Sequence, residues 1–533
     1  MVTATPRRPG RRDGNRGNRL LSYLCGGRVC TSSELIRHLM SEGVGAVNAR
    51  QIISRQSNTD GVWRSTHVRL EGGERLFAER SAVGSPVFFK NIGEKLKKTS
   101  RHGLARCVAA LGTHQVLHRV NVIRLLAVSI GAESTAIGRL AHLYENELAG
   151  LRELGARIIQ PDTALESIVA PGGLDVADLD AFANLGADQL RYETMLTRIL
   201  GERLRRQNML SWNRIDLPDA EKPYTLFNDQ LFSAFGFSYL APLVKWKDKS
   251  RKPTPCPVLI DCYHGVCTLA QVESFIQRVE RATIRGKQRM PSLGIIAARD
   301  FDRDAWQTAR HKALMTVSFR QMFGDEALDA MVQVEKLLNG LGHGTANDRQ
   351  DCFKEMARLI EDLKTNPVIT DLRSIGFEAL CALILHTRGY QSVEMQRKVP
   401  WGNTTRDVDV YGLRDDELYI VECKAYHKRK SIIGSEVKKF FEETVPALKK
   451  WMRLNTRHFS KCKAEIWTTG PIGKDAGDTL HQLHRPKTDE WNLTRMSDMH
   501  DDIPKAIRTR SIRLLESIAL TESAIDVDPE EAP

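Results

Sequence analysis

Arg406-Asp407-Val408-Asp409-Val410-Tyr411-Gly412, followed by Leu418-Tyr419-Ile420-Val421-Glu422-Cys423-Lys424, decides how the last third of this chain folds. The first piece alternates polar and apolar residues and the second is a short apolar run, so both read as strands. Side chains on a strand face opposite ways in turn. Asp407, Asp409 and Tyr411 therefore share one face, Val408 and Val410 the other, and Gly412 is expected in the turn. Glu422 and Lys424 share a face across Cys423. Laid side by side, the strands gather Asp409, Glu422 and Lys424 at one point. Two carboxylates and one backbone carbonyl, that of Cys423, make a hard oxygen site suited to Mg²⁺ or Mn²⁺. A cation there lowers the pKa of a bound water and stabilises charge on a phosphate. Charges at the end of a central apolar strand are costly unless they are paired or used, which argues against a chance surface cluster.

Working outward, a helix is predicted from Asp371 to Thr387 with an apolar face of Phe377, Leu380, Cys381, Ile384 and Leu385. Glu378 lies beside that face, and Gly389-Tyr390 ends the helix. A strand follows over Ser392–Val399. Beyond Lys424, the run Lys428, Arg429, Lys430 suits phosphate contact or a solvated loop equally. Lys438 and Lys439 read as the wet face of the next helix.

These residues resemble a known family. Phe377-Glu378, Gly389-Tyr390, Asp407-Val408-Asp409, Glu422-Cys423-Lys424 and Thr468-Thr469-Gly470 look like the core of Mrr-type restriction endonucleases, of the PD-(D/E)XK nuclease superfamily. The likeness spans about a quarter of the chain. It implies that Asp409 and Glu422 are metal ligands, Lys424 the catalytic lysine and Glu378 a helix-borne acid. Many members carry a glycine-rich stretch before the aspartate, whereas here it reads Asn403-Thr404-Thr405-Arg406, a departure that bears on the DNA target more than on the chemistry.

The middle of the chain repeats this order. Ile260-Asp261-Cys262-Tyr263 stands where Val421-Glu422-Cys423-Lys424 stands, followed by a helix from Leu269 to Arg281, a strand from Leu293 to Ala298, and a further helix and strand. Alternating strands and helices predict a mainly parallel sheet. Tyr263 replaces the lysine, and no strand aspartate precedes it. A tyrosine cannot supply a lysine's charge at neutral pH. Two readings stand: a degenerate nuclease-like domain, or an unrelated Rossmann-like layer.

At the N-terminal end, a short helix near Leu20–Leu24 and the capping residues Thr31-Ser32-Ser33 precede a helix Glu34–Ser41, a turn at Gly43 and Gly45, and a helix Val47–Arg55. A hairpin follows, with Val62-Trp63-Arg64 and Val68-Arg69-Leu70 flanking a turn and Gly72-Gly73 before Arg75-Leu76-Phe77. That is the order of a winged helix-turn-helix, which would expose Asn48, Arg50, Gln51 and Arg55 for the major groove or serve protein contacts alone. The fold class expected is thus a multidomain α/β chain. A basic arm over 1–19 precedes a winged helix-turn-helix over 20–95. A helical spacer or second winged helix fills 96–210, with Leu140, Leu143, Leu148, Leu151 and Leu154 at helical spacing. The degenerate α/β domain covers 211–330, a helical connector 331–366, the restriction-endonuclease-like α/β domain 367–510, and a helix end with an acidic tail 511–533.

The formal net charge of +12 favours a polyanionic partner, nucleic acid first. Neither a secretory signal nor an 18-residue apolar span is read. The ten cysteines are scattered like reduced core thiols, which suits a cytoplasmic protein. Cys256, Cys262 and Cys267 could hold zinc but lack CxxC spacing. The expectation is a Mg²⁺-dependent DNA endonuclease of prokaryotic restriction or anti-phage defence, acting as a homodimer. Any ATPase or helicase partner would be a separate chain, since no GxxxxGK[ST] loop is present. A repair nuclease for branched or flapped DNA, and a non-enzymatic DNA-binding regulator, are the alternatives.

Overall fold

The computed structural model describes residues 20–520 except 57–60, 98–100, 115, 128–146, 160–167, 172–178, 212–213, 220–221, 241–243, 247–252, 286–287, 364–365, 367, 403 and 456–458. The basic arm, the acidic tail, Leu140, Leu143 and Asn403 lie outside the described residues. The chain is a mixed α/β multidomain protein. It divides into two compact units, Met1–Leu190 with Tyr224–Thr316, and Arg191–Pro223 with Val317–Pro533.

The first unit opens with a short helical stretch over 20–24, as expected, followed by β1 (Cys30–Thr31), α1 (Ser32–Ser41) and α2 (Ala46–Gln56). Thr31 caps α1 reciprocally: its hydroxyl accepts from the Glu34 amide and the Glu34 carboxylate accepts from the Thr31 amide. β2 (Val62–Arg69) and β3 (Arg75–Glu79) form a hairpin in the sheet order β1-β3-β2. The turn expected after Arg64 is corrected. β2 continues through Ser65-Thr66-His67 without a turn, with a shift of register against β3 between Arg64 and Arg69, because that stretch is tied on both sides. The Ser65 hydroxyl accepts from the Leu76 amide, and the His67 and Val68 amides donate to the Glu153 carboxylate. The chain turns instead at Gly72 and Gly73, whose φ values of +70° and +75° glycine alone takes easily.

α3 (Pro86–Leu96), α4 (His102–His114), β4 (Leu117–His118), α5 (Arg119–Leu126), β5 (Ala156–Ile159) and β6 (Ile168–Pro171) follow. Of the two readings of 96–210, a helical spacer alone does not account for this stretch, since β4, β6 and β5 make an antiparallel three-stranded sheet. α6 (Leu179–Arg206) then runs from the first unit into the second.

The first unit resumes with β7 (Ala234–Ser238), β8 (Cys256–Cys267), α7 (Leu269–Thr283), β9 (Leu293–Phe301) and α8 (Arg303–His311). β8 is antiparallel to β7 and parallel to β9, so the expected mainly parallel sheet is mixed. The missed strand is β7, whose Phe235 and Phe237 alternate with Ala234 and Gly236. Phe232, Leu259, Val272, Phe275 and Ile296 fill the core between sheet and α7.

The second unit carries α9 (Asp325–His343), α10 (Ala346–Asp362), α11 (Ile369–Thr387), β10 (Ser392–Trp401), β11 (Thr404–Arg414) and β12 (Glu417–Lys424). One long helical stretch comes next: α12 (Gly434–Lys439), a π turn (Phe440–Thr444) and α13 (Val445–Asn455). β13 (Lys461–Thr468), α14 (Lys474–Gln482), β14 (Asp489–Arg495) and α15 (Arg508–Leu520) complete it. The sheet order is β10-β11-β12-β13-β14, antiparallel up to β12 and parallel from there. Gly412 is not in a turn, contrary to expectation. It lies inside β11, where a Cβ would come within 3.0 Å of the Tyr390 side chain, and the chain turns at Asp415 (φ +51°). Phe377, Leu380, Cys381, Ile384 and Leu385 of α11 are wholly buried. Burial of each large apolar side chain contributes about 1.5–3 kcal/mol, which anchors α11 beside the sheet. No helix among the described residues is long and apolar enough to cross a membrane.

Candidate active site

β11 and β12 pair regularly through Val410 and Val421. One step beyond that pair stand Asp409 and Glu422, both where the ladder opens. The Cys423 amide donates to Asp409 Oδ2 (2.7 Å). Lys424 Nζ lies 2.8 Å from Glu422 Oε1, as residues two apart on one strand face allow. These groups sit in a cleft of about 970 Å³ that Glu378 of α11 also lines. The structure thus brings together Glu378, Asp409, Glu422, Cys423 and Lys424. Glu422 and Lys424 remain 17% and 22% exposed, open enough for a ligand to reach.

Burial pushes the Asp409 carboxyl well above the usual carboxylate range, and Glu422 and Glu378 push it further; Lys424 and the Cys423 amide oppose them. Glu378 is pushed up to about 6, chiefly by burial, although Arg198 and Gln396 pull it down. Burial would lower Lys424, but Glu422 and Asp409 outweigh it and hold the ammonium above its ordinary range. The Cys423 thiol is raised by burial and by its contact with the Cys381 thiol. The arrangement crowds carboxylates around a single lysine.

Several lining residues escape a reading of the sequence. Arg206 of α6, Arg373 of α11 and Lys439 of α12 line the cleft. Lys439, expected on the wet face of its helix, is exposed as expected and also lines the cleft. The π turn carries Phe440 and Thr444 into the same wall. Such turns inside α-helices frequently occur at functional sites. Lys428, Arg429 and Lys430 are exposed, and of these Lys430 lines the cleft. Asn48, Arg50, Gln51 and Arg55 of α2, in the first unit, are all exposed. Among the described residues no group of three or more His, Cys, Asp or Glu is arranged to hold a metal ion. The expected donor set is smaller, two carboxylates and a carbonyl, leaving other positions to water and phosphate, as Mg²⁺ prefers.

The first unit contains a counterpart. β7 and β8 pair through Ala234 and Ile260, and one step beyond stand Ser233 and Asp261. The Cys262 amide donates to Ser233 Oγ (2.8 Å), as the Cys423 amide does to Asp409. The Tyr263 hydroxyl donates to Asp261 Oδ2 (2.9 Å), in the place of Lys424 and Glu422. Arg278 of α7, which the sequence reading missed, forms an ion pair with Asp261 at 2.5 Å, both side chains being 0% exposed. Cys256, Cys262 and Cys267 are buried free thiols.

No family model matches the chain, and no curated protein matches it significantly. Among solved structures, the crystal structure of a protein of unknown function, AF1548, is similar at 18% identity over 25% of this chain and 60% of that one, with a TM-score of 0.18. The chain therefore spans about three fifths of that protein's length, and at this score the likeness informs neither fold nor function.

Proposed function

We propose that this protein is a metal-dependent endonuclease of the PD-(D/E)XK type that hydrolyses DNA phosphodiester bonds with the site on β11 and β12. The observation that carries the proposal is the convergence of Asp409, Glu422 and Lys424 where two adjacent strands part into a cleft. The donor set fits a hard divalent cation. Asp409 and Glu422 are hard oxygen donors, and the burial and, after it, the mutual repulsion that raise Asp409 are what a bound cation would offset. Asp409, Glu422 and the Cys423 carbonyl would hold Mg²⁺ or Mn²⁺, which when bound supplies an activated water and neutralises phosphate charge.

The chain's own residues perform the rest. Lys424, held beside Glu422, orients the attacking water or faces the phosphoryl oxygens. Arg206, Arg373, Lys430 and Lys439 hold the backbone to either side through contacts that carry no sequence information. Glu378, whose carboxyl titrates near 6, takes or gives a proton in the physiological range. The β1–α2 segment with its hairpin acts as a winged helix, presenting Asn48, Arg50, Gln51 and Arg55 to the major groove. The Ser233–Asp261–Tyr263 site acts as a degenerate copy. The biological setting proposed is prokaryotic restriction or anti-phage defence in the cytoplasm, an analogy from the family resemblance.

The test is incubation with supercoiled plasmid in Mg²⁺, in Mn²⁺ and in EDTA. Cleavage in the first two and none in EDTA is expected, and full cleavage in EDTA would refute the reading. Because one chain offers one complete Asp–Glu–Lys set among the described residues, a double-strand cut is expected from a homodimer formed on DNA. Light scattering that finds a strict monomer on DNA, with nicked circles as sole product, would contradict this.

A further inference from the structure

One residue of β10 leaves the strand conformation. Gln396 has φ +57°, in the left-handed region that favours glycine. Its neighbours pair in regular register, Met395 with Val410 and Arg397 with Val408, so Gln396 stands opposite Asp409. Backbone departures held in place by a regular surround concentrate at functional positions, which makes the side chain worth following.

The Gln396 amide bridges two charged groups. Its Nε2 donates to Glu378 Oε2 (2.7 Å), and its Oε1 accepts from Arg198 Nη1 (2.5 Å). The orientation of the amide follows from chemistry, since a carboxylate only accepts and a guanidinium only donates. Arg198 comes from α6, 198 residues away in sequence. That part of α6 is tied a second time to the helix bearing Glu378. Asp371 of α11 accepts from Arg203 Nη2 and from Arg206 Nη1, each at 3.2 Å. The carboxylate in the cleft is thus fixed through one oxygen to a strained glutamine, and through it to a clamped helix.

We propose that Gln396 and Arg198 form a positioning relay for Glu378, which makes α6 a working part of the catalytic unit. The relay anchors Glu378 Oε2 and leaves Oε1 outside it to accept from a water that enters the cleft. The unusual backbone at Gln396 is the means by which the amide reaches α11. The role in catalysis rests on the endonuclease reading above, whereas the relay itself is a property of the fold, and two experimental arms separate them.

Glycine adopts φ +57° without strain, so Gln396→Gly keeps the backbone conformation and removes the side chain with its amide. Arg198→Met removes the charge and keeps the stem. In the activity arm, both variants should lose kcat by on the order of 10–100-fold with KM for DNA changed by no more than a few-fold, and Arg198→Lys should recover part of the loss. In the second arm, metal-free thermal denaturation compares wild type, Gln396→Gly, Glu378→Ala and the double variant. The melting shifts should depart from additivity by about 2 °C or more, because the second removal finds its partner already gone. Additive shifts would overturn the relay. Non-additive shifts with unchanged kcat would also overturn the proposal, reducing the bridge to a structural contact. Non-additive shifts among the variants, together with a wild-type protein that cuts no DNA, would leave the relay standing and remove the endonuclease reading instead.

Discussion

β8 in the first unit and β12 in the second have the same neighbours, an antiparallel strand on one side and a parallel strand on the other, and they end in opposite states. In both, the amide after the acidic residue donates to the side chain one strand away, to Ser233 in one case and Asp409 in the other. In β8 the acid is Asp261, and its charge is met inside the protein by Arg278 and the Tyr263 hydroxyl, with no exposure to water. In β12 the acid is Glu422, which shares Lys424 with Asp409 and opens onto a cleft. A carboxylate whose counter-charge the fold supplies is a structural element. A carboxylate pair that shares one lysine and opens onto a cleft is one that a cation from outside would stabilise further. Three exchanged residues, Ser233 for Asp409, Asp261 for Glu422 and Tyr263 for Lys424, together with the buried Arg278, distinguish the two sites.

The comparison breaks most readily at β11 and β12. Asp409→Ala and Glu422→Ala should each cut plasmid DNA on the order of 10²-fold or more slowly than wild type. DNA affinity in a gel-shift assay should be held or slightly tightened, since repulsion of phosphate is removed. Wild-type cleavage by either variant would place the chemistry elsewhere.

The next effect is on stability and falls in the first unit. Arg278→Met strands the Asp261 carboxylate in a dry core, which typically costs about 3–5 kcal/mol. Chemical denaturation should show that loss, with cleavage per folded molecule unchanged. A loss of cleavage in the folded fraction would mean that the first unit takes part in the reaction.

A smaller effect concerns acid. Burial, with help from Arg349, lowers His386 of α11 to about 4. A histidine depressed in the fold contributes stability above its ordinary pKa and loses it as pH falls through 6.5 toward 4. The melting temperature of His386→Gln should therefore gain on that of wild type as pH is lowered from 7 to 5. A difference between the two proteins that stays constant with pH would contradict the assignment.

Much of the second unit is legible in the sequence because its signals are local. Alternation in 406–411 places Asp409, and the apolar run 418–421 places Glu422 and Lys424. What the sequence hides is long-range. Arg198 reads as one charge among many on a helix, and nothing near it points to Gln396. Gln396 reads as an ordinary strand residue, since a positive φ on glutamine leaves no mark in composition. Arg278 follows the wet-face pattern of an amphipathic helix although it is fully buried, because its counter-charge, Asp261, lies on a strand 17 residues back. Gly412 resembles a turn glycine, and only the packing of Tyr390 shows why the strand needs it.

The central claim is that one carboxylate site is open for chemistry and the other is closed on itself. The most direct measurement is a supercoiled-plasmid nicking assay in Mg²⁺ with wild type, Lys424→Ala and Asp261→Asn side by side, each normalised to folded protein. Wild type and Asp261→Asn should nick at the same rate while Lys424→Ala does not nick. Nicking by Lys424→Ala at the wild-type rate, or a folded Asp261→Asn protein that binds DNA and cannot cut it, would contradict the account.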